Sequence, residues 1–269
     1  MVRILFLGDI VGEPGRRAVI EQVPILRRER AIDFVIVNGE NAAGGRGITP
    51  KIAIDLLRAG VAVITTGDHV WDQFDLASYL ETEPRVLRPL NYPSGTPGAG
   101  SVILETDQGR VAVLNAQGRT FMNPPLENPL QALEQEIRRI REEEGVRILF
   151  VDFHAEATSE KIAMGYALDG SVSAVVGTHT HVQTADEQIL PGGTAFLCDA
   201  GMCGPMPSVL GREVEPVLHR FRTSLPARFP VAKGPVLLCG VLVEVEEETG
   251  QARHIERLRQ PVEPPNDGA

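Results

Sequence analysis

The stretch Ser171-Val172-Ser173-Ala174-Val175-Val176-Gly177-Thr178-His179-Thr180-His181 runs from a short apolar segment straight into two histidines. Ser171 to Val176 reads as a buried strand. The histidines therefore stand where a strand ends, the usual position of a site in an open α/β sheet. A regular strand would turn both rings to one face, because side chains alternate with period two. A tight turn after Gly177 would instead aim them at two neighbouring ions. Taken alone, the pair is also compatible with two surface histidines on a loop, so its meaning depends on the remainder of the chain.

Upstream, strand and helix alternate. Arg3–Leu7 is strand-like, Gly15–Arg28 helical, and Phe34–Val37 a second buried strand. Thr49 caps a helix that has Pro50 in its first turn and ends near Arg58. Val61–Thr65 is a third strand, followed by a helix through Leu80. This rhythm implies parallel strands joined by crossover helices. Ser101–Glu105 and Arg110–Asn115 flank the turn Thr106-Asp107-Gln108-Gly109 as a hairpin. Asn128-Pro129 opens an amphipathic helix with Leu130, Leu133, Ile137 and Ile140 on one face. Its outer Glu and Arg side chains are a solvated surface. A strand at Arg147–Val151 precedes the one at Val172–Val176. Val236–Val245 and Ala252–Leu258 bracket Glu248-Thr249-Gly250 as a second hairpin. Pro261 to Ala269 reads as a disordered tail. There is no internal repeat, linker or composition break, so one domain over residues 1–260 is expected, with a mixed sheet or two packed sheets.

Composition narrows the class. The chain has 269 residues, 43% of them hydrophobic, which is enough for a substantial core, and no apolar run long enough to cross a bilayer. Met1 to Leu7 is too short, and too soon followed by Asp9, to be a signal peptide. Cys198, Cys203 and Cys239 form no Cys-x-x-Cys pair and read as reduced thiols of a cytoplasmic protein. The net charge of -10 disfavours a stable complex with nucleic acid or an anionic membrane. A phosphate-bearing ligand would need a local positive centre, which metal ions would supply.

Each core strand ends in a polar cluster: Gly8-Asp9, Asn38-Gly39-Glu40-Asn41, Gly67-Asp68-His69, Asp152-Phe153-His154, and the His-x-His. If the strands are parallel, all five clusters line one edge of a sheet. They offer the oxygen and imidazole donors that borderline metals prefer. A single catalytic zinc takes about three protein ligands. The candidates here are Asp9, Glu40, Asn41, Asp68, His154, His179 and His181, enough for two ions about 3.5–4 Å apart that share a bridging carboxylate. Such a pair binds a hydroxide and clamps the attacking and leaving oxygens of a phosphorus centre. His69 remains, placed to act as general acid for the leaving oxygen, or else as an eighth ligand or a donor oriented by Asp72.

The ordered series resembles the calcineurin-type metallophosphoesterases, and within them the bacterial YmdB-like family, where Gly-Glu-Asn replaces the commoner Gly-Asp-x-x-Asp second motif. Gly39-Glu40-Asn41-Ala42-Ala43-Gly44-Gly45-Arg46-Gly47-Ile48-Thr49 and His69-Val70-Trp71-Asp72 strengthen the resemblance, which covers nearly the whole chain. It implies an α/β/β/α sandwich, two packed mixed β-sheets flanked by helices, with a dinuclear site at the strand ends. It also implies a metal-dependent phosphodiesterase acting on 2′,3′-cyclic nucleotides. By the same resemblance Asp9, Asn41 and His181 hold one metal, His154, His179 and position 68 the other, Glu40 bridges, and His69 is the proton donor. The family usually carries Asn before that histidine, whereas this chain has Asp68. A third carboxylate favours a harder or more highly charged ion, iron or manganese, and weakens attraction for a phosphate anion.

Rival readings fare less well. Amidohydrolases place His-x-His on the first strand of a barrel, but here an aspartate comes first and His-x-His late. Haloacid-dehalogenase phosphatases need Asp-x-Asp, which Asp9-Ile10-Val11 lacks, and no P-loop Gly-Lys-Ser/Thr is present. The glycine-rich segment Ala42–Gly47 reads as a mobile rim loop rather than a phosphate cradle, with Arg46 in reach of substrate. A phosphomonoesterase of nucleotidase type and a metal-binding regulatory protein remain as alternatives; a spare His69 argues against the latter, since a structural site needs no acid. The expected partner is a small nucleotide diester, and a homo-oligomer is compatible with the sequence.

Overall fold

The computed structural model describes residues 1–263. β1 (Val2–Leu7) and a short β2 (Asp9–Ile10) are followed by α1 (Gly12–Glu29), β3 (Phe34–Asn38), α2 (Pro50–Arg58), β4 (Val63–Thr65) and α3 (Leu76–Leu80). β5 (Ser101–Thr106) and β6 (Gly109–Gln117) form the first expected hairpin, and α4 (Pro129–Glu142) leads to β7 (Ile148–His154). Then come α5 (Thr158–Ala167), β8 (Ala174–Thr178), β9 (Gln188–Ile189), β10 (Ala195–Leu197), β11 (Met202–Pro205) and α6 (Val214–Thr223). The second expected hairpin, β12 (Val236–Val245) and β13 (Ala252–Val262), closes the series.

Local chemistry sets two of the helix starts. The Thr49 hydroxyl accepts a hydrogen bond from the Ile52 amide at 3.3 Å, and Pro50 gives up no useful donor at the first turn. The Asn128 side chain caps α4 in the same way, accepting from the Leu130 amide at 3.0 Å. α4 then buries Leu133, Ile137 and Ile140, the face read from their spacing.

The strands divide between two sheets. In the first, β1, β3 and β4 lie side by side in parallel, and β12 runs antiparallel to β1. β13 pairs with β12, and β11 and β2 extend this sheet. In the second, β6, β7, β8 and β10 are parallel, with β5 and β9 as antiparallel edges. Both sheets are mixed, and period two assigns their faces. Ile4, Phe6, Phe34, Ile36 and Val63 meet Val113, Phe150 and Val176 between the sheets. Phe6 and Phe150 touch there with ring centroids 5.2 Å apart. The alternate residues Leu5, Leu7, Val35 and Val37 pack with Val19, Val23 and Leu56 of α1 and α2. Leu149, Val151 and Phe153 pack with Leu133 and Ile137 of α4 and Met164 of α5. The layers are therefore helix, sheet, sheet, helix.

Three expectations need correction. The five polar strand ends do not line one sheet edge: β1, β3 and β4 belong to the first sheet, β7 and β8 to the second. Parallel order within each half says nothing about whether the halves share a sheet. The strand read from Ser171 begins at Ala174, because Ser173 turns its hydroxyl to the Leu149 amide and the Gly250 carbonyl. The expected tail starts too early, since β13 continues through Pro261 to Val262. An edge strand with one partner tolerates the missing amide of a proline. Residues 264–269 of that expected tail lie outside the described residues.

The three cysteines are free and buried, and burial pushes Cys198 and Cys239 up to about 11 and Cys203 well above its ordinary value, in line with inert thiols. Among the described residues no helix is long and apolar enough to cross a membrane. The inter-sheet core makes a direct prediction. Phe150→Ala should cost about 3–5 kcal/mol of unfolding free energy in urea titration, because it empties a fully buried aromatic site. A loss under about 1 kcal/mol would mean that the two sheets close over the gap.

Candidate metal centre

The inter-sheet face changes character toward one end. Following Ile36, Val63, Phe150 and Val176 at period two come Asn38, Thr65, Asp152 and Thr178, all buried and all polar. They satisfy one another across the sheets. Asp152 accepts from the Asn38 amide at 3.0 Å and the Thr178 hydroxyl at 2.7 Å, and also from the Thr65 hydroxyl. Burial pushes the Asp152 carboxyl up to about 6, against the opposing pull of His154 and the two hydroxyls.

On this polar floor stand the residues at the strand ends. Glu40, Asp68, His154 and His179 bring one ligand atom each within 4.8 Å of one another. His154 Nε2 lies 3.2 Å from Glu40 Oε1, 3.1 Å from Asp68 Oδ1 and 3.0 Å from His179 Nδ1. Beside them are Asp9, Asn41 and His181. The Asn41 amide donates to Glu40 Oε1 at 2.8 Å and to His181 Nε2 at 3.3 Å, and His181 Nε2 is 4.0 Å from Asp9 Oδ1. All seven residues named from the sequence are thus gathered in one place, and Glu40 touches both groups.

The two rings of the His-x-His diverge because the backbone turns. β8 runs through Thr178; His179 then has φ +100° and His181 φ +65°, so the strand periodicity is broken one residue later than Gly177. Such conformations cost of order 1–3 kcal/mol each in non-glycine residues and cluster at functional sites. Gly177 is needed for close approach, since a Cβ there would sit 1.9 Å from the Cys198 carbonyl oxygen. Gly67 has a similar role, because a Cβ would fall 2.2 Å from Glu40 Oε2 and 2.3 Å from His154 Nε2.

Several observations fit this cluster to a metal. The Asp9 carboxylate is fully buried, yet its Oδ1 has no hydrogen-bond partner. Burial raises its pKa despite His181 and His154. Each histidine is tied outward by one nitrogen, leaving the other for the site. His154 Nδ1 donates to Thr178 Oγ1 at 2.9 Å, whose proton goes on to Asp152. His181 Nδ1 donates to the Leu210 carbonyl at 3.2 Å, and His179 Nε2 faces Glu156 at 3.2 Å. This outward bonding is how proteins orient imidazole ligands. Burial disfavours a charged His154, but Glu40, Asp68 and Asp9 outweigh it and raise its pKa well above the ordinary value. Burial likewise works against ionised Glu40 and Asp68, and the neighbouring histidines hold both below the usual carboxylate range.

His69 stands beside the cluster. Its Nδ1 is 3.1 Å from Asp72 Oδ2, and its Nε2 is 3.8 Å from Asp68 Oδ2. Arg46 Nε reaches the same Asp72 oxygen at 2.8 Å, so this arginine is engaged at the rim. The glycine-rich loop is clamped by Arg212, which donates to the Gly44 and Gly45 carbonyls. Sequence reasoning named Asp152 and Thr178 only as neighbours of the histidines, without a role, and did not reach Glu156 or Leu210. Asp152 carried a signal: a carboxylate two positions before His154 on the same strand face.

The family model described as YmdB-like protein matches residues 5–258. A 2′,3′-cyclic-nucleotide 2′-phosphodiesterase of Bacillus subtilis (strain 168) is 47% identical over 257 residues, covering 96% of this chain and 96% of that protein. A crystal structure of a hypothetical protein from Thermus thermophilus aligns with a TM-score of 0.90 at 42% identity, covering 98% of this chain and 100% of that one. A crystal structure described as a novel phosphatase, from Mycoplasma pneumoniae, aligns with a TM-score of 0.91 at 34% identity, covering 98% and 95%.

The close approach at residue 67 yields a test. Gly67→Ala should displace the Glu40 and His154 side chains and abolish metal retention, read by elemental analysis, while circular dichroism stays that of the parent. Full metal content in the variant would show that the cluster is not where metal binds.

Proposed function

Because the chain belongs to the YmdB-like protein family, we propose that it is a metal-dependent phosphodiesterase that hydrolyses 2′,3′-cyclic nucleotides with two metal ions per chain. The observation that carries this is the convergence of four oxygen-donor residues and three histidines at one end of the sandwich, with His69 adjacent. The kinship with the Bacillus subtilis 2′-phosphodiesterase supports the substrate class. In this reading Asp9, Asn41 and His181 hold one ion, and Asp68, His154 and His179 hold the other. Glu40, in contact with members of both groups, lies between them. A ligating Asn41 presents its carbonyl oxygen rather than the amide nitrogen. Three carboxylates favour iron or manganese over softer ions.

When bound, two such ions act as Lewis acids toward the phosphorus centre and acidify a water. The chain supplies the remaining chemistry. Opening a 2′,3′-cyclic phosphate breaks a bond from phosphorus to a ribose oxygen, which leaves as a poorly stabilised alkoxide. His69 delivers the proton that this oxygen needs. Asp72 holds Nδ1, so Nε2 is the nitrogen turned toward the cluster. Arg46 fixes Asp72 from the rim. Substrate is a small anionic nucleotide, not a polymer, in keeping with the net charge of -10. Reduced, buried thiols suit a cytoplasmic setting.

Turnover of 2′,3′-cyclic AMP and of bis-p-nitrophenyl phosphate should be abolished by chelation and restored by manganese. Hydrolysis that survives complete metal removal would refute the reading. His69→Ala should lower turnover on the cyclic nucleotide by about 10²–10⁴ while metal content stays constant. The loss should shrink with nitrophenolate leaving groups, and an equal loss on every leaving group would remove His69 as the acid. Asp68→Asn should keep the fold, loosen the second ion and lower KM, because one negative charge leaves the anion's path. Identical manganese affinity and kinetics in parent and variant would show that Asp68 is no ligand.

A further inference from the structure

Behind the His179–His181 turn lies an ion pair that the chemistry above does not use. Lys161 on α5 and Asp199, beyond the end of β10, are 2% and 1% exposed, with Nζ 2.6 Å from Oδ2. Burying two charges consumes most of their mutual attraction in desolvation, so net stability is a poor reason for such a pair. Its hydrogen bonds indicate another. Asp199 Oδ2 also accepts from the Thr180 amide at 3.1 Å and the Thr180 hydroxyl at 2.7 Å. Thr180 is the residue between the two left-handed histidines. Asp199 Oδ1 accepts from the Gly201 amide at 2.8 Å, and the Gly201 carbonyl accepts from the Asp9 amide at 3.1 Å. One carboxylate therefore holds the turn that carries His179 and His181 and, through Gly201, the strand end that carries Asp9. The Lys161 stem runs beneath Gly177, where an added Cβ would meet its Cδ at 2.8 Å.

We propose that Lys161 and Asp199 are positioning residues of the metal centre, with Asp199 fixing the ligand-bearing turn in its strained shape and Lys161 supplying the counter-charge. The inference rests on the metal-dependent reading above. It distinguishes ligand placement from bulk stability, and the test separates these. Lys161→Met/Asp199→Leu removes both buried charges together and leaves neither orphaned, a replacement that folds tend to tolerate. The metal-free double variant should still unfold cooperatively, somewhat below the metal-free parent because the Thr180 and Gly201 donors lose their acceptor. Its affinity for manganese, read by calorimetric titration of the apo-protein, should fall about 10–100-fold at both positions. Parent-like affinity would overturn the positioning role. If the double variant does not fold, Thr180→Val removes only the hydroxyl bond to Asp199. It should weaken manganese about tenfold without changing the metal-free melting point, and unchanged affinity would again overturn the role. A parent that takes up no manganese would overturn both this and the functional reading; a parent that binds two ions beside a variant that binds them equally well overturns this alone.

Discussion

Asp152 is the constraint on which the site depends. Its carboxylate is the meeting point of β3, β4, β7 and β8, two strands from each sheet, at the level where the apolar interface stops. Below it the sheets meet through apolar side chains such as Phe6 and Phe150, which impose shape but little direction. Hydrogen bonds to a charged group contribute about 1.5–3 kcal/mol each and demand specific angles. They therefore set the offset of one sheet against the other. A one-residue slip of any of the four strands would turn its polar group to the helix face and leave donors unpaired in the interior. Because His154 follows Asp152 on the same face and bonds to Thr178, the offset is passed directly to a member of the proposed metal centre.

The cluster also shows why so many acids tolerate one another. Asp9, Glu40 and Asp68 are drawn together by backbone geometry, and burial raises the cost of their charge. The carboxylates in turn raise the His154 pKa well above its ordinary value. A divalent ion held there would take the place of that proton, so the congestion that perturbs His154 would favour metal binding. The outward nitrogens of the three histidines are already committed to Thr178, Leu210 and Glu156, which leaves the inward ones facing the cluster.

Much of this was legible in the residues. Gly8-Asp9, Gly39-Glu40-Asn41 and Gly67-Asp68-His69 each follow a short strand-forming run, and strand ends are where a parallel arrangement collects polar groups. The caps at Thr49 and Asn128 and both hairpins could be placed from local chemistry alone. What escaped depends on distant contacts. Nothing local to β9, β10 or β11 announces their pairing, since these short strands are stabilised by neighbours rather than by their own periodicity. α5 went unread because its exposed Ile162 and Tyr166 and buried Lys161 invert the usual pattern of a surface helix. Periodicity alone left one sheet or two open, as a strand's sequence records its burial but not its neighbour; the resemblance of the ordered motifs supplied the two packed sheets that the fold has. Asp199 lies in a segment with no periodic signal, and only its contacts reveal its partners.

The partition also divides the donors by chemistry. Asp9, Glu40, Asn41 and Asp68, the oxygen donors, all follow strands of the first sheet, whereas His154, His179 and His181 all come from the second. The first sheet alone would offer a hard, oxygen-only set of the kind suited to magnesium or calcium. The second adds the imidazoles that shift preference toward transition metals. In the proposed centre, discrimination among ions would thus belong to neither sheet alone and would arise where the two meet.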